Sequence, residues 1–139
     1  MFKMPIETSQ KDHAVPGIAG SVLVVDDDAA VRSALKFLLE VEGLNVRLYD
    51  GASALLAEAS LPARGCLVID YRMPVMDGLQ LTDQLRARKV GLPVILITGR
   101  VSDDLRRRAA KSGVRQVLEK PLLDGALVEG IRSALAAAA

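Results

Sequence analysis

The chain has 139 residues, a formal charge of +1, 50% hydrophobic residues and 3% aromatic ones, with no Trp. That length holds one domain with a full core, the apolar fraction excludes wholesale disorder, and the near-neutral charge offers no basic face for bulk nucleic-acid binding. One cysteine, Cys66, excludes an internal disulfide, and no apolar run approaches the ~20 residues of a membrane span.

Residues 1–20 carry Met4-Pro5, the polar stretch Thr8-Ser9-Gln10-Lys11-Asp12 and Pro16-Gly17, without a sustained apolar period. They read as a flexible tail that the fold does not need, with His13 a solvated side chain within it. They also lack the apolar core of a signal peptide, so a cytoplasmic location is expected.

From Ser21 onward strand-like and helix-like segments alternate. Ser21 to Asp26 is an apolar run of strand length, and Asp28 to Glu42 carries Val31, Leu35, Leu38 and Leu39 at helical spacing before Gly43. Leu44, Val46 and Leu48 alternate with Asn45, Arg47 and Tyr49, as in a strand near a sheet edge. Gly51 to Ser60 reads as a helix stopped by Pro62. Cys66 to Asp70 is a buried strand in which Cys66 is an inert interior thiol. After the loop from Tyr71 to Met76, Asp77 can cap a helix whose apolar side is Leu79, Leu81 and Leu85. Leu92 to Thr98 is a strand, Ser102 to Lys111 a helix followed by Gly113, and Val114 to Leu118 the last strand. Pro121 suits the first turn of a final helix running to the alanine-rich end.

Five strands in strict alternation with five helices imply the α/β class. Eight-stranded closure is out of reach at this length, and the expected architecture is a five-stranded doubly wound parallel sheet, flavodoxin-like order 2-1-3-4-5, with helices on both faces. In that order strands 1 and 3 adjoin while their connections depart in opposite directions, so their C-terminal ends form the switch-point crevice. Asp26, Asp27 and Asp70 arrive there, with Thr98 and Lys120 delivered by strands 4 and 5.

Three carboxylates brought within several ångströms repel, and a hard divalent cation is the usual remedy; Mg²⁺ suits a site with few protein oxygens and a phosphate. A backbone carbonyl after Asp70 can add a ligand, and Lys120 can pair with a carboxylate or with phosphoryl oxygens. Aspartate is also a nucleophile in phosphoryl transfer, and the Thr98 hydroxyl can donate to the product. Taken singly, each residue has a plainer role: Asp26 and Asp27 as helix caps, Asp70 as a loop carboxylate, Thr98 as a strand-end hydroxyl, Lys120 as a solvated lysine. Their joint placement at successive strand ends favours the site. Other phosphate chemistries fit worse, since neither G-x-G-x-x-G nor a P-loop occurs and Asp26-Asp27-Asp28 would repel a flavin phosphate. Arg72 stands where metal-dependent phosphatases of the haloacid dehalogenase type place a second Asp.

At this point the residues resemble the receiver domain of bacterial two-component response regulators, here a single-domain response regulator over residues 21–139. Val24-Val25-Asp26-Asp27-Asp28 is similar to the acidic end of its first strand, and Asp70-Tyr71-Arg72-Met73-Pro74-Val75-Met76-Asp77-Gly78 to its phosphoacceptor loop. Thr98-Gly99 and Glu119-Lys120-Pro121 are similar to its switch hydroxyl and lysine. The resemblance implies a phosphorelay switch: Asp70 accepts a phosphoryl group from a histidine kinase or phosphotransfer protein, with Mg²⁺ as cofactor. Asp27 would bind the metal directly, Asp26 through water, and the Arg72 carbonyl would complete the protein ligands. Lys120 would contact the phosphoryl group, Thr98 would move toward it, and Pro121 would follow a peptide bond that is often cis in the family. The chain would be no metabolic enzyme, although it would assist its own phosphorylation and dephosphorylation, and it would signal by changed protein contacts.

Three departures are expected to modulate this switch. Val117 occupies a position where many receivers carry an aromatic, so a relay from hydroxyl to aromatic is not available in that form. Arg72 and Arg100 can lean over the phosphoryl group and lengthen its lifetime, or sit solvated on exposed loops. Arg106, Arg107, Arg108 and Lys111 form a basic stretch on the fourth helix, either a solvated face or a surface for a charge-paired homodimer through helix 4, strand 5 and helix 5, with Asp103, Asp104, Glu119 and Asp124 nearby. Neither direct nucleic-acid binding nor a membrane partner is expected. The competing functions are a non-phosphorylated pseudo-receiver, a phosphate sink, and the truncated input half of a DNA-binding regulator.

Overall fold

The computed structural model describes residues 20–122 and 125–137, so the expected tail lies outside the described residues apart from Gly20. The elements run β1 (Ser21–Val25), α1 (Ala29–Val41), β2 (Asn45–Tyr49), α2 (Ala52–Leu56), β3 (Gly65–Asp70), α3 (Gly78–Ala87), β4 (Val94–Thr98), α4 (Asp103–Lys111), β5 (Gln116–Glu119) and α5 (Ala126–Ala137). All pairings are parallel and the sheet order is β2-β1-β3-β4-β5, the order expected.

Strands β1, β3 and β4 are buried along their whole length, which is why they read as unbroken apolar runs rather than alternating ones. Their side chains divide between two core layers. Leu23, Val25, Leu67, Ile69 and Leu96 face Leu55, Leu81, Leu85, Leu105 and Ala109 of α2, α3 and α4. Val22, Val24, Val68, Ile95 and Ile97 face Leu35, Leu39, Leu127 and Ile131 of α1 and α5. Cys66 lies in this second layer with no exposed surface, and burial pushes its thiol up to about 12. The β2 strand is the edge, with outward Asn45 and Arg47 exposed.

Helix ends follow local chemistry. The Asp28 side chain caps α1 by accepting from the Ala30 and Val31 N–H groups at 2.9 and 3.3 Å, and Gly43, at φ +84°, closes the turn beyond it. Asp77 and Gln80 form a reciprocal capping box on α3. Ser102 caps α4, which places Asp103 and Asp104 in its first turn and Arg108 and Lys111 in its last, each sign favourable to the helix dipole.

Several expected boundaries move, β4 among them, which begins at Val94 rather than Leu92. The second helix, expected over Gly51 to Ser60, stops at Leu56: Arg88 of the loop after α3 donates to the Leu56 carbonyl at 2.9 Å, and Glu58 turns back to the Tyr49 hydroxyl at 2.5 Å. The last strand begins at Gln116 rather than Val114, because the Val114 N–H is used at 2.9 Å by the Ala109 carbonyl at the end of α4. Pro121 is not in the first turn of the final helix. It follows a cis peptide bond from Lys120, and α5 begins five residues later, with the Gly125 carbonyl accepting the Glu129 N–H at 3.1 Å.

Gly78 starts α3 directly behind the end of β3. A Cβ there would lie 2.7 Å from both the Asp70 carbonyl oxygen and a Leu96 methyl. Neither neighbour is free to retreat, so Gly78→Ala is expected to destabilise the fold by about 1–3 kcal/mol, read as a lowered urea midpoint with an unchanged slope.

Candidate functional site

Because α1 leaves β1 toward one face and α3 leaves β3 toward the other, the loops after these neighbouring strands diverge and leave a crevice at the C-terminal sheet edge. Val25 pairs with Ile69, so the next residue of each strand path, Asp26 and Asp70, arrives at the same level. Both are buried, with 2% and 7% of their surface exposed, while Asp27 sits exposed on the rim. One carboxylate oxygen from each of the three lies within 4.8 Å of the others.

Few groups neutralise this charge. The Lys120 Nζ lies 3.2 Å from Asp70 Oδ1 and 3.7 Å from Asp26 Oδ2. The Asp28 N–H donates to Asp26 Oδ1 at 2.9 Å. Burial, and then the neighbouring Asp26, hold the Asp70 carboxyl above its usual range against the opposing pull of Lys120. Asp26 is likewise raised, chiefly by burial, although the Asp28 amide and Lys120 act the other way. Burial alone would lower the Lys120 ammonium, but the carboxylates of Asp70 and Asp26 outweigh it and keep its pKa above the ordinary value. Asp28, not Asp26 or Asp27, is the helix cap, and this leaves the two upstream carboxylates for the crevice.

Thr98, at the end of β4, is 2% exposed, and its hydroxyl is turned into the following loop. It donates to the Arg100 carbonyl at 3.1 Å and accepts from the Arg100 N–H at 3.3 Å. The Lys120 N–H donates to the Thr98 carbonyl at 2.8 Å, fixing the two strand ends to each other. Pro121 and Leu122 line an apolar groove of about 530 Å³ with Val31, Ala34 and Leu38 of α1, opening beside Lys120. A larger concavity, about 730 Å³, lies among Leu56, Pro62, Arg88 and Pro93 at the opposite end of the sheet, away from the carboxylates.

The residues expected to modulate the site are dispersed. The Arg72 guanidinium lies over the Tyr71 ring, 5.8 Å from its centroid. Val117 packs against the core layer that holds Leu105 and Ala109. The basic stretch is spread around α4 rather than gathered on one face: Arg106 lines a cleft against β5, Arg107 and Arg108 pair with Asp104 of their own helix at 3.4 and 3.1 Å, and Lys111 borders a groove toward α3. Asp124 lies outside the described residues.

Two contacts were not legible in the sequence. Arg32 Nη1 donates to the Asp26 carbonyl at 2.7 Å and so fixes the backbone that carries Asp27; its position one turn into α1 was the available signal. Arg108 donates to the Tyr71 hydroxyl at 3.1 Å, a contact between residues 37 apart for which sequence offers no local signal.

Residues 22–132 match the model of the response regulator receiver domain family. The chain is 40% identical over 116 residues to the transcriptional regulatory protein FixJ of Bradyrhizobium diazoefficiens, covering 84% of this chain and 57% of that protein. It is 40% identical over 119 residues to the C4-dicarboxylate transport transcriptional regulatory protein DctR of Rhodobacter capsulatus, covering 84% of this chain and 60% of that one. The fold matches the crystal structure of FixJ-N with a TM-score of 0.77 at 37% identity, over 84% of this chain and 93% of that one. The chain thus spans a little over half the length of these curated relatives. With its sheet order, its switch-point crevice and this breadth of similarity, the chain belongs to the receiver domains of two-component response regulators.

Proposed function

We propose that Asp70 is the phosphoacceptor of a Mg²⁺-dependent signalling switch, with the phosphoryl group donated by a histidine kinase or phosphotransfer protein. The observation that carries this reading is a buried Asp70 carboxylate 3.2 Å from the Lys120 ammonium within a cluster of three carboxylates. Such an all-oxygen donor set fits a hard divalent cation, and the raised Asp26 and Asp70 carboxyls gain from a positive charge between them. Asp27, Asp70 and the Arg72 carbonyl would hold the ion directly and Asp26 through water. When bound, it supplies Lewis-acid neutralisation of the phosphoryl oxygens.

An Asp70 carboxylate oxygen attacks phosphorus and the bond from phosphorus to the donor histidine nitrogen breaks; hydrolysis later returns inorganic phosphate. Lys120 stabilises charge on the transferring group, and the chain thereby assists both steps without being a metabolic enzyme. Thr98, once offered a phosphoryl oxygen, exchanges its bond to the Arg100 carbonyl for one to the product and shifts the loop before α4. The phosphoryl donor docks on the apolar groove between α1 and Pro121, which opens directly beside Lys120. Output follows from changed contacts of α4, β5 and α5, including a homodimer in which Arg106, Arg107 and Lys111 take part, and the switch works in the cytoplasm. The names of the curated relatives favour a second reading of output, control of transcription through a DNA-binding segment.

Intact-mass analysis after incubation with acetyl phosphate is expected to find one phosphoryl adduct on wild type with Mg²⁺, and none with EDTA or on Asp70→Asn. An unmodified wild type would instead identify a pseudo-receiver.

The electrostatics give a second test. In metal-free protein the raised Asp70 pKa means that the folded state holds its proton more tightly than the unfolded state, whose ordinary value is 3.8. Stability is therefore lost as pH rises from that value through the folded one, and the loss persists at neutral pH. Asp70→Asn is expected to melt above wild type at pH 7 in EDTA, with the gap closing as pH falls toward about 4. Mg²⁺ at a hundredfold excess over its Kd should add about 2.7 kcal/mol to wild type, and much less to the variant.

Arg72 and Arg100 are placed on the loops that flank the crevice and lengthen the life of the phosphoryl group by pairing with its oxygens. Replacing both by Ala is expected to speed loss of phosphate from the protein several-fold, followed by phosphate release; an unchanged rate overturns the pairing.

A further inference from the structure

Tyr71, the residue after Asp70, is tied to α4. Its backbone is held on two sides, with its N–H donating to the Ile97 carbonyl and its carbonyl accepting the Gly78 N–H, each at 2.8 Å. The half-buried ring packs against the core layer that includes Leu105 and Ala109 of α4. Its hydroxyl accepts from Arg108 Nη2 at 3.1 Å, and the Arg108 guanidinium carbon lies 5.9 Å from the ring centroid. The Arg72 guanidinium carbon lies 5.8 Å from the same centroid. Arg108 is anchored from its own helix by Asp104, whose carboxylate accepts from Nε at 3.1 Å.

Two like-charged guanidiniums thus share one aromatic ring beside the phosphoacceptor. Each contact is exposed and individually weak. A phosphoryl group on Asp70 carries up to about two negative charges where the carboxylate carried one, and oxyanions are stronger partners for guanidinium than a ring face or a phenol oxygen. Thr98 acts on the same helix from its other end. If its hydroxyl leaves the Arg100 carbonyl for the phosphoryl group, the loop into the Ser102 cap moves, and α4 moves with it. Val117, on the β5 side of this core layer, has neither a ring nor a hydroxyl to follow such a movement.

We propose that Tyr71 and Arg108 form a latch between the phosphoacceptor loop and α4, closed in the unmodified chain and opened when Asp70 carries a phosphoryl group. The latch rests on the reading of Asp70 as phosphoacceptor. Both residues act through the position of α4 and touch no reacting atom.

The test uses the full chain as wild type, Tyr71→Phe, Arg108→Met and the double variant. Intact mass after acetyl phosphate and Mg²⁺ reports modification of Asp70. Amide hydrogen exchange over α4, with and without Mg²⁺ and beryllium fluoride, reports the latch. An adduct is expected on all four chains. Wild-type α4 should exchange roughly fivefold faster with beryllium fluoride, the factor that about 1 kcal/mol of lost restraint gives. Each single variant should already exchange at the faster rate without it and respond little further, and the double variant should match the singles, because the two side chains make one contact. A Tyr71→Phe chain that still shows the full wild-type response overturns the latch, even if its basal rate rises. So does an adduct on wild type with no response in α4, or additivity of the two substitutions. Absence of any adduct on wild type overturns the phosphoacceptor reading itself, and the latch with it.

Discussion

Two carboxylates share one ammonium at the end of a buried sheet, and most of what surrounds them answers to that constraint. Asp26 and Asp70 have lost nearly all contact with water, burial raises both carboxyls, and the Asp26 charge raises Asp70 further. Lys120 opposes these effects at 3.2 and 3.7 Å without reversing either shift. The packing beneath the site holds both carboxyls where ionisation is costly, so a nearby positive charge favours their ionised form. Catalytic centres are commonly arranged in this way.

The fold makes the arrangement possible by separating what is rigid from what can move. Three central strands buried on both faces fix the register that brings Asp26 level with Asp70 and sets Thr98 beside Glu119, next to Lys120. The backbone carrying the carboxylates is further pinned by Arg32 and by Gly78 pressed against the end of β3. By contrast, α4, whose Leu105 and Ala109 enter the core, meets the loop after Asp70 at its surface through Arg108, a contact that water reaches. Weak, exposed ties are the ones that a change of charge can exchange without melting a core.

Much of this was legible in the sequence, and the reasons differ by level. Unbroken apolar runs ending in Asp26, Asp70 and Thr98 announce a parallel sheet because strands covered on both faces have no polar side to alternate with. The parallel, doubly wound sheet followed from strict βα alternation, and the placement of the carboxylates followed from the flavodoxin-like order expected for it. Element ends were less legible, since α2 stops where Arg88 takes the Leu56 carbonyl and β5 starts late because Val114 closes α4; both causes lie in distant parts of the chain. The plain role assigned to Asp26 and Asp27 fell one residue short, because Asp28 caps α1. Arg108 read as one member of a basic run, whereas its partners are a phenol 37 residues away and a carboxylate one turn back. Charge runs are visible in a sequence; how a helix divides them among its neighbours is a property of packing.

Cys66 gives the molecule a property unrelated to signalling. It lies four residues before Asp70 on the central strand, without exposed surface and with its pKa raised to about 12. In the folded chain such a thiol is almost wholly protonated and out of reach of a thiol reagent, and there is no second cysteine to compete with it. Its modification rate therefore clocks the opening of the strand that carries Asp70. A cysteine introduced on the surface can be labelled selectively while this one stays silent.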